Sequence, residues 1–200
     1  MSNKNVKYRE KNQFVRIYKL YFEDIMSKSS SDYVLANLVL GLMDGLTVGP
    51  ALAIGMYAGG LDRRAILLAA LSDMIAGSIS MSLAEGLSLD TVELKQDAPL
   101  RGGVLTGFGY LLGSSVPFWA FLIGQDIHQG AMLTIVGSVF LLLIFGYIRG
   151  RFGKENITIS IIKVLTIGLL AMFATYAIQS LIGNKISGAP SSPVPPKIEA

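Results

Sequence analysis

Apolar residues in this chain gather into five long blocks, at roughly 33–59, 63–88, 102–123, 131–148 and 157–182, with short polar stretches between them. Each block approaches or exceeds the ~20 residues a helix needs to cross a bilayer. Once five spans are laid out, little remains beyond short loops and two tails. The pattern predicts an all-α integral membrane protein with five transmembrane helices, its membrane domain running over 33–183. Composition agrees: 52% of residues are hydrophobic and 16% charged, with a mean hydropathy of +0.53. Soluble domains are about a quarter charged.

The tails differ in kind. Within 1–32, "VKYREKNQFVRIYKLYFEDIM" sets Phe14, Ile17, Tyr18 and Tyr21 at helical spacing among basic residues. This predicts an amphipathic helix lying on the inner membrane surface, with a solvated arm as the alternative. The segment is too polar for a cleavable signal peptide. The last stretch, 184–200, ends in "SGAPSSPVPPKIEA", whose Pro and Ser content predicts a disordered tail.

Positive charge sets the expected orientation. Lys4, Lys7, Arg9, Lys11, Arg16, Lys19 and Lys28 precede span one, Lys95 and Arg101 follow span two, and Arg149, Arg151 and Lys154 follow span four. The opposite side holds only Arg63, Arg64, Lys185 and Lys197. Twelve against four predicts a cytoplasmic N-terminus and a C-terminus on the far side. The net charge of +3 then reads as basic flanks beside anionic lipid rather than as a nucleic-acid surface. No cysteine is present, which excludes disulfides and thiolate chemistry. The single histidine, His128, falls in "GQDIHQG" and is expected to be solvated. Asn156-Ile157-Thr158 fits a glycosylation sequon by chance, since this topology turns it to the cytoplasm.

Acids inside the spans change the picture from membrane protein to membrane protein with a task. Asp44 sits near the centre of span one, in "LGLMDGLTVGPALAIG". Asp73 sits near the centre of span two, in "LLAALSDMIAGSISMSLAEGLSL", with Glu85 near its cytoplasmic end. An acid at mid-bilayer costs roughly 2.5–3.5 kcal/mol even on lenient scales, so such residues face protein or water. The hairpin between the spans turns near Gly60-Leu61. At ~1.5 Å per residue, Asp44 lies ~24 Å and Asp73 ~18 Å from it, about one helical turn apart in depth. Two acids at one level repel unless a proton or a cation intervenes, and either solution suits a proton-coupled cation carrier.

Asp73, Gly77, Met81 and Glu85 recur every fourth residue, a slanted stripe running toward the cytoplasm, with Ser78 and Ser82 beside it. A thioether among carboxylates suits a borderline ion such as Fe²⁺ better than Mg²⁺ or Ca²⁺. Met81 also has a plain alternative as apolar filler, and Glu85 as a helix end at the headgroups. Met43 and Met74, each next to an acid in sequence, are weaker candidates, because adjacent residues point different ways. Gly41, Gly45 and Gly49 admit a close helix contact; if that partner is span one of a second subunit, Asp44 meets its own mate. Gly49-Pro50 frees a carbonyl near Leu46, which bends the helix or offers an oxygen to an ion.

With "MDGLTVG" in span one and "SDMIAGSISMSLAEGLS" in span two, the chain resembles the vacuolar iron transporters and their prokaryotic relatives. "GYLLGSSVPFWAF" and "FGYIRGRFGKENITISIIKVLTIGLLAMFATYAIQSLIG" extend the resemblance over roughly 35–183. The resemblance implies a five-span homodimer with its translocation path between subunits, lined by spans one and two, exchanging cytoplasmic Fe²⁺, and often Mn²⁺, for protons. It implies a metal path through Asp44, Asp73, Met81 and Glu85, with no permanently bound cofactor. The host membrane would be a prokaryotic plasma membrane, or a vacuolar or other organelle membrane. Ala84 departs from the family's usual glycine, and Pro50 is not expected in its first span. The long Glu-rich cytoplasmic domain of plant members is reduced here to "DTVELKQDAPLR", where Asp90, Glu93 and Asp97 form either a small collecting site or a solvated loop.

Two rival readings stand beside this one. The first is a carrier mainly for Mn²⁺ or another divalent cation. The second is a non-transporting membrane component whose acids are structural, which a pairing of Lys163 with Asp44 or Asp73 would favour. No metalloprotease helix or nucleophile elbow is present, so an enzyme is not expected.

Overall fold

A computed structural model describes residues 30–90, 98–153 and 155–186. The helix expected over 14–21, the loop acids Glu93 and Asp97, and all but 184–186 of the tail expected to be disordered fall outside the described residues. Five helices follow in order: α1 (Ser30–Ala58), α2 (Arg63–Asp90), α3 (Ala98–Ile123), α4 (Ile127–Phe152) and α5 (Ile157–Ile186). All five are long and apolar enough to cross a membrane, making this a multi-pass integral membrane protein.

Most helices outrun their apolar blocks, because hydropathy marks the hydrocarbon layer whereas capping decides where a helix stops. α4 begins at Ile127 because Asp126 accepts from the Gln129 N–H at 2.8 Å, while Gln129 Oε1 accepts from the Gln125 N–H at 2.6 Å. Asn156 caps α5 by accepting from the Thr158 N–H at 3.0 Å, so the asparagine of the sequon is a helix cap. Between α1 and α2, Gly60 has φ +78°, a left-handed conformation that suits glycine. The Leu61 and Gly60 N–H groups donate back to Met56 and Tyr57 carbonyls, each at 3.1 Å, closing α1 with a Schellman motif. Asp62 then accepts from the Ala65 N–H at 2.8 Å to start α2. The pair Gly49-Pro50 does not interrupt α1, and Leu46, whose carbonyl the proline frees, is completely buried.

The chain divides into two compact units: the part up to Leu46 with Ser72–Ser115, and Thr47–Leu71 with the part from Val116 onward. In the first, α3 packs α1 on one side and α2 on another. Gly109 and Gly113 let its backbone approach Leu38, Leu42 and Leu46 of α1. Gly41 and Gly45 reciprocate: a Cβ on Gly41 would lie 1.8 Å from the Thr106 carbonyl oxygen, and one on Gly45 2.3 Å from that of Tyr110. These glycines were candidates for a contact with a second subunit; α3 of the same chain occupies that face instead. Toward α2, Gly107 of α3 meets Ser78 and Ser82. The remaining face of α3, with Leu100, Val104, Phe108 and Leu112 at spacing four, stays exposed and is suited to lipid.

The second unit has a core to which every helix contributes: Ala51, Ala53 and Ile54 from α1, Ile66 from α2, Phe121 from α3, Ala131 from α4 and Met172 from α5. α4 and α5 form a close hairpin. Thr175 of α5 donates to the Ala51 carbonyl at 2.8 Å. Arg63 donates to the Phe121 and Leu122 carbonyls at 2.8 and 3.0 Å, a cation on the otherwise unsatisfied C-terminus of α3. His128 is exposed, as expected, yet it belongs to the first turn of α4 and hydrogen-bonds the Tyr57 hydroxyl at 2.7 Å. That pairing joins positions far apart in sequence and leaves no mark in either local pattern.

Candidate metal path

Asp73 lies on α2 and is half-buried. The Tyr110 hydroxyl of α3 donates to its Oδ1 at 2.9 Å. Its other oxygen, Oδ2, is buried without a hydrogen-bond partner. An unmade bond at a buried acceptor costs about 1–3 kcal/mol, more when the group is charged, so packing alone does not account for this carboxylate.

Tyr110 itself is nearly inaccessible, at 3% exposure, and its setting follows from glycines. Its ring lies over Gly77, one turn from Asp73, where a Cβ would stand 2.1 Å from the ring carbon Cε1. Its backbone lies against Gly41 and Gly45 of α1, the two glycines around Asp44. Asp44 is half-buried, close enough for its charge to act on both Asp73 and Tyr110. It stands on a stripe with Leu40 and Val48, both exposed. Asp44, Asp73 and Tyr110 therefore form one group in the first unit, the two acids coming from consecutive spans.

Met81 and Glu85 continue the stripe along α2, both half-buried. From Asp73 to Glu85 the helix rises about 18 Å, so Glu85 stands apart from the acid pair. Ser78 donates to the Ile75 carbonyl of its own helix at 2.9 Å, and Ser82 abuts Gly107; both face α3 rather than the acid stripe. Beside that stripe, Ser72, Ala76, Ser80, Ala84 and Ser88 form an exposed row of small side chains. Two hollows of about 310 and 260 Å³ lie along α2 and α3, sharing Ser82 and Leu83; their walls include neither central acid. Asp90 is exposed at the end of α2 and borders the larger hollow.

Among the described residues, no three His, Asp or Glu side chains gather as a metal site; one chain brings two acids together. Lys163 pairs with Glu155, so the ion pair that would have favoured structural acids is engaged elsewhere. Tyr110 was missed by sequence reasoning. The available signal was indirect: a mid-span tyrosine needs a partner for its hydroxyl, and Gly77 leaves room beside Asp73 for a ring.

The sequence model of the VIT family matches residues 35–93 and 84–180. Vacuolar iron transporter homolog 2 of Arabidopsis thaliana is 27% identical over 165 residues, covering 74% of this chain and 84% of the relative. Vacuolar iron transporter 1 of Tulipa gesneriana is 24% identical over 215 residues, covering 74% of this chain and 87% of its own. Vacuolar iron transporter cccA of Arthroderma benhamiae is 23% identical, covering 78% of this chain and 82% of its own. The tulip alignment is longer than this whole chain of 200 residues, so that relative carries inserted sequence absent here. The matched residues run through all five helices and include Asp44, Asp73, Met81 and Glu85, and the chain belongs to the VIT family.

Proposed function

We propose that this protein carries Fe²⁺, and Mn²⁺ as well, out of the cytoplasm in exchange for protons, as a homodimer with its path between α1 and α2 of the two subunits. The carrying observation is the buried, unpartnered Oδ2 of Asp73 within electrostatic range of Asp44: an acceptor without a donor, next to a second acid, is what a cation would complete. Relatives named as vacuolar iron transporters support the substrate class. The exposed row of small residues on α2, and the outward stripe holding Asp44, support a second copy there, since small side chains let helices approach closely. Two acids per chain become four across a two-fold axis, nearer to the ligand number of a divalent cation.

In this reading the N-terminus is cytoplasmic. Glu85 receives the ion from that side, Met81 offers a soft ligand, and Asp44 and Asp73 with their mates hold it at mid-membrane. Protons arriving from the far side neutralise the carboxylates and release the ion, because a carboxyl that takes a proton gives up its charge on the metal. No resident cofactor and no nucleic acid enter the scheme. The membrane is the plasma membrane in a prokaryote, the vacuole or another organelle in a eukaryote.

The test is Fe²⁺ uptake into proteoliposomes containing a pH dye, with Mn²⁺ in parallel. Wild-type protein moves metal with opposite proton flow, and Asp44→Asn abolishes both. Wild-type flux retained in Asp44→Asn would sink the scheme.

A further inference from the structure

Tyr110 binds no cargo in the scheme above, yet it is more deeply buried than Asp44, Asp73 or Glu85. Its ring fills the space that Gly77 leaves beside Asp73, and α1 glycines pin its backbone on either side of Asp44. Its hydroxyl reaches one oxygen of Asp73, Oδ1, at 2.9 Å. The consequence for the carboxylate is an asymmetry. Oδ1 accepts a hydrogen bond, and Oδ2 is buried with nothing to accept from.

We infer that Tyr110 is a positioning residue that makes Asp73 a one-oxygen ligand and thereby sets selection against Ca²⁺. This rests on the transport reading. A carboxylate free to turn presents both oxygens to a large ion, and Ca²⁺ takes 6–8 oxygens, commonly with carboxylates bound through both. Smaller divalent ions accept fewer ligands in tighter geometry. A hydroxyl that engages Oδ1 penalises the two-oxygen mode and leaves the unpartnered Oδ2 for one short bond. The ring is buried against Gly77, and the α1 glycines hold the residue's backbone, so the ring has little room to swing away. The hydroxyl is therefore a fixed donor rather than a mobile one, and the selection is built into the packing of α3.

The test is Mn²⁺ binding to the full chain in detergent, followed by loss of the free-ion electron paramagnetic resonance signal, with Ca²⁺ as competitor. Tyr110→Phe keeps the ring over Gly77 and removes only the donor. The Ca²⁺ needed to displace Mn²⁺ should fall by roughly tenfold, the scale of one hydrogen bond to a charged group. A merely structural role for Tyr110 would change both affinities together and leave their ratio alone. An unchanged ratio in Tyr110→Phe overturns the inference while leaving the transport reading intact. Wild-type protein that binds no Mn²⁺ and moves no Fe²⁺ overturns both. Asp73→Asn gives a check that does not depend on the tyrosine variant folding. Its amide oxygen takes the Tyr110 hydrogen bond, the NH₂ group stands where the ion needs an acceptor, and Mn²⁺ binding is lost. Wild-type Mn²⁺ affinity in Asp73→Asn would likewise overturn the one-oxygen assignment.

Discussion

Replacing Gly45 with alanine tests the contact that frames the acid pair. The added Cβ would lie 2.3 Å from the Tyr110 carbonyl oxygen and 2.7 Å from the Ser114 nitrogen. Ordinary contact needs about 3.5 Å, so α1 and α3 must part locally by about 1 Å. Both obstacles are backbone, so no rotamer change relieves them. Overpacking of this kind costs about 1–3 kcal/mol, and the intrinsic preference of a helix for Ala over Gly returns roughly 0.5–1 kcal/mol. The net expectation is a loss of about 1–2 kcal/mol in the helix contact next to Asp44. Gly137→Ala is the control, since among the described residues its Cβ would meet only a Val116 side-chain carbon, at 3.5 Å. There the helix preference acts alone and predicts a gain of roughly 0.5–1 kcal/mol. Thermal unfolding of the purified protein in detergent, followed by circular dichroism, reads both. Gly45→Ala should melt below wild type and Gly137→Ala at or above it. A Gly45→Ala protein as stable as Gly137→Ala would mean that α1 and α3 do not approach through these glycines.

Two further outcomes follow from other parts of the molecule. The natural chain has no cysteine, so Ala84→Cys provides a single reporter on the exposed small-residue row of α2; it should form a subunit-to-subunit disulfide in membranes on mild oxidation. Phe173→Cys, exposed on α5, should not, and equal crosslinking at both positions would remove the support for α2 as the dimer face. Outside the spans, the hydrogen bond from Lys163 holds the Glu155 carboxyl below its ordinary value of 4.5, with the Lys163 and Arg149 charges acting in the same direction. A lowered acid contributes stability above its unfolded value and loses it as pH falls through the folded one. Wild type should therefore exceed Glu155→Gln in melting temperature near neutrality, and the difference should shrink as pH falls below 4.5 and through the lowered folded value. A constant difference across that range would disprove the pairing.

The five spans were legible from residues alone, for a physical reason. A chain in hydrocarbon must satisfy its own backbone, so long apolar blocks become helices whatever their neighbours. A hairpin of fixed rise then predicts similar depth for Asp44 and Asp73. Helix ends were less legible, because Asp126 and Asn156 act through a few local hydrogen bonds that hydropathy does not register. The destination of the glycines at 41 and 45 was not legible at all. A small residue every fourth position announces a close helix neighbour without saying which helix, and only packing assigned it to α3. The same packing brought Tyr110 onto Asp73, a contact between residues on separate spans that depends on how α2 and α3 meet over Gly77. Local chemistry marked where the charge is; the approach of helices determined which oxygen of Asp73 is held and which is left free.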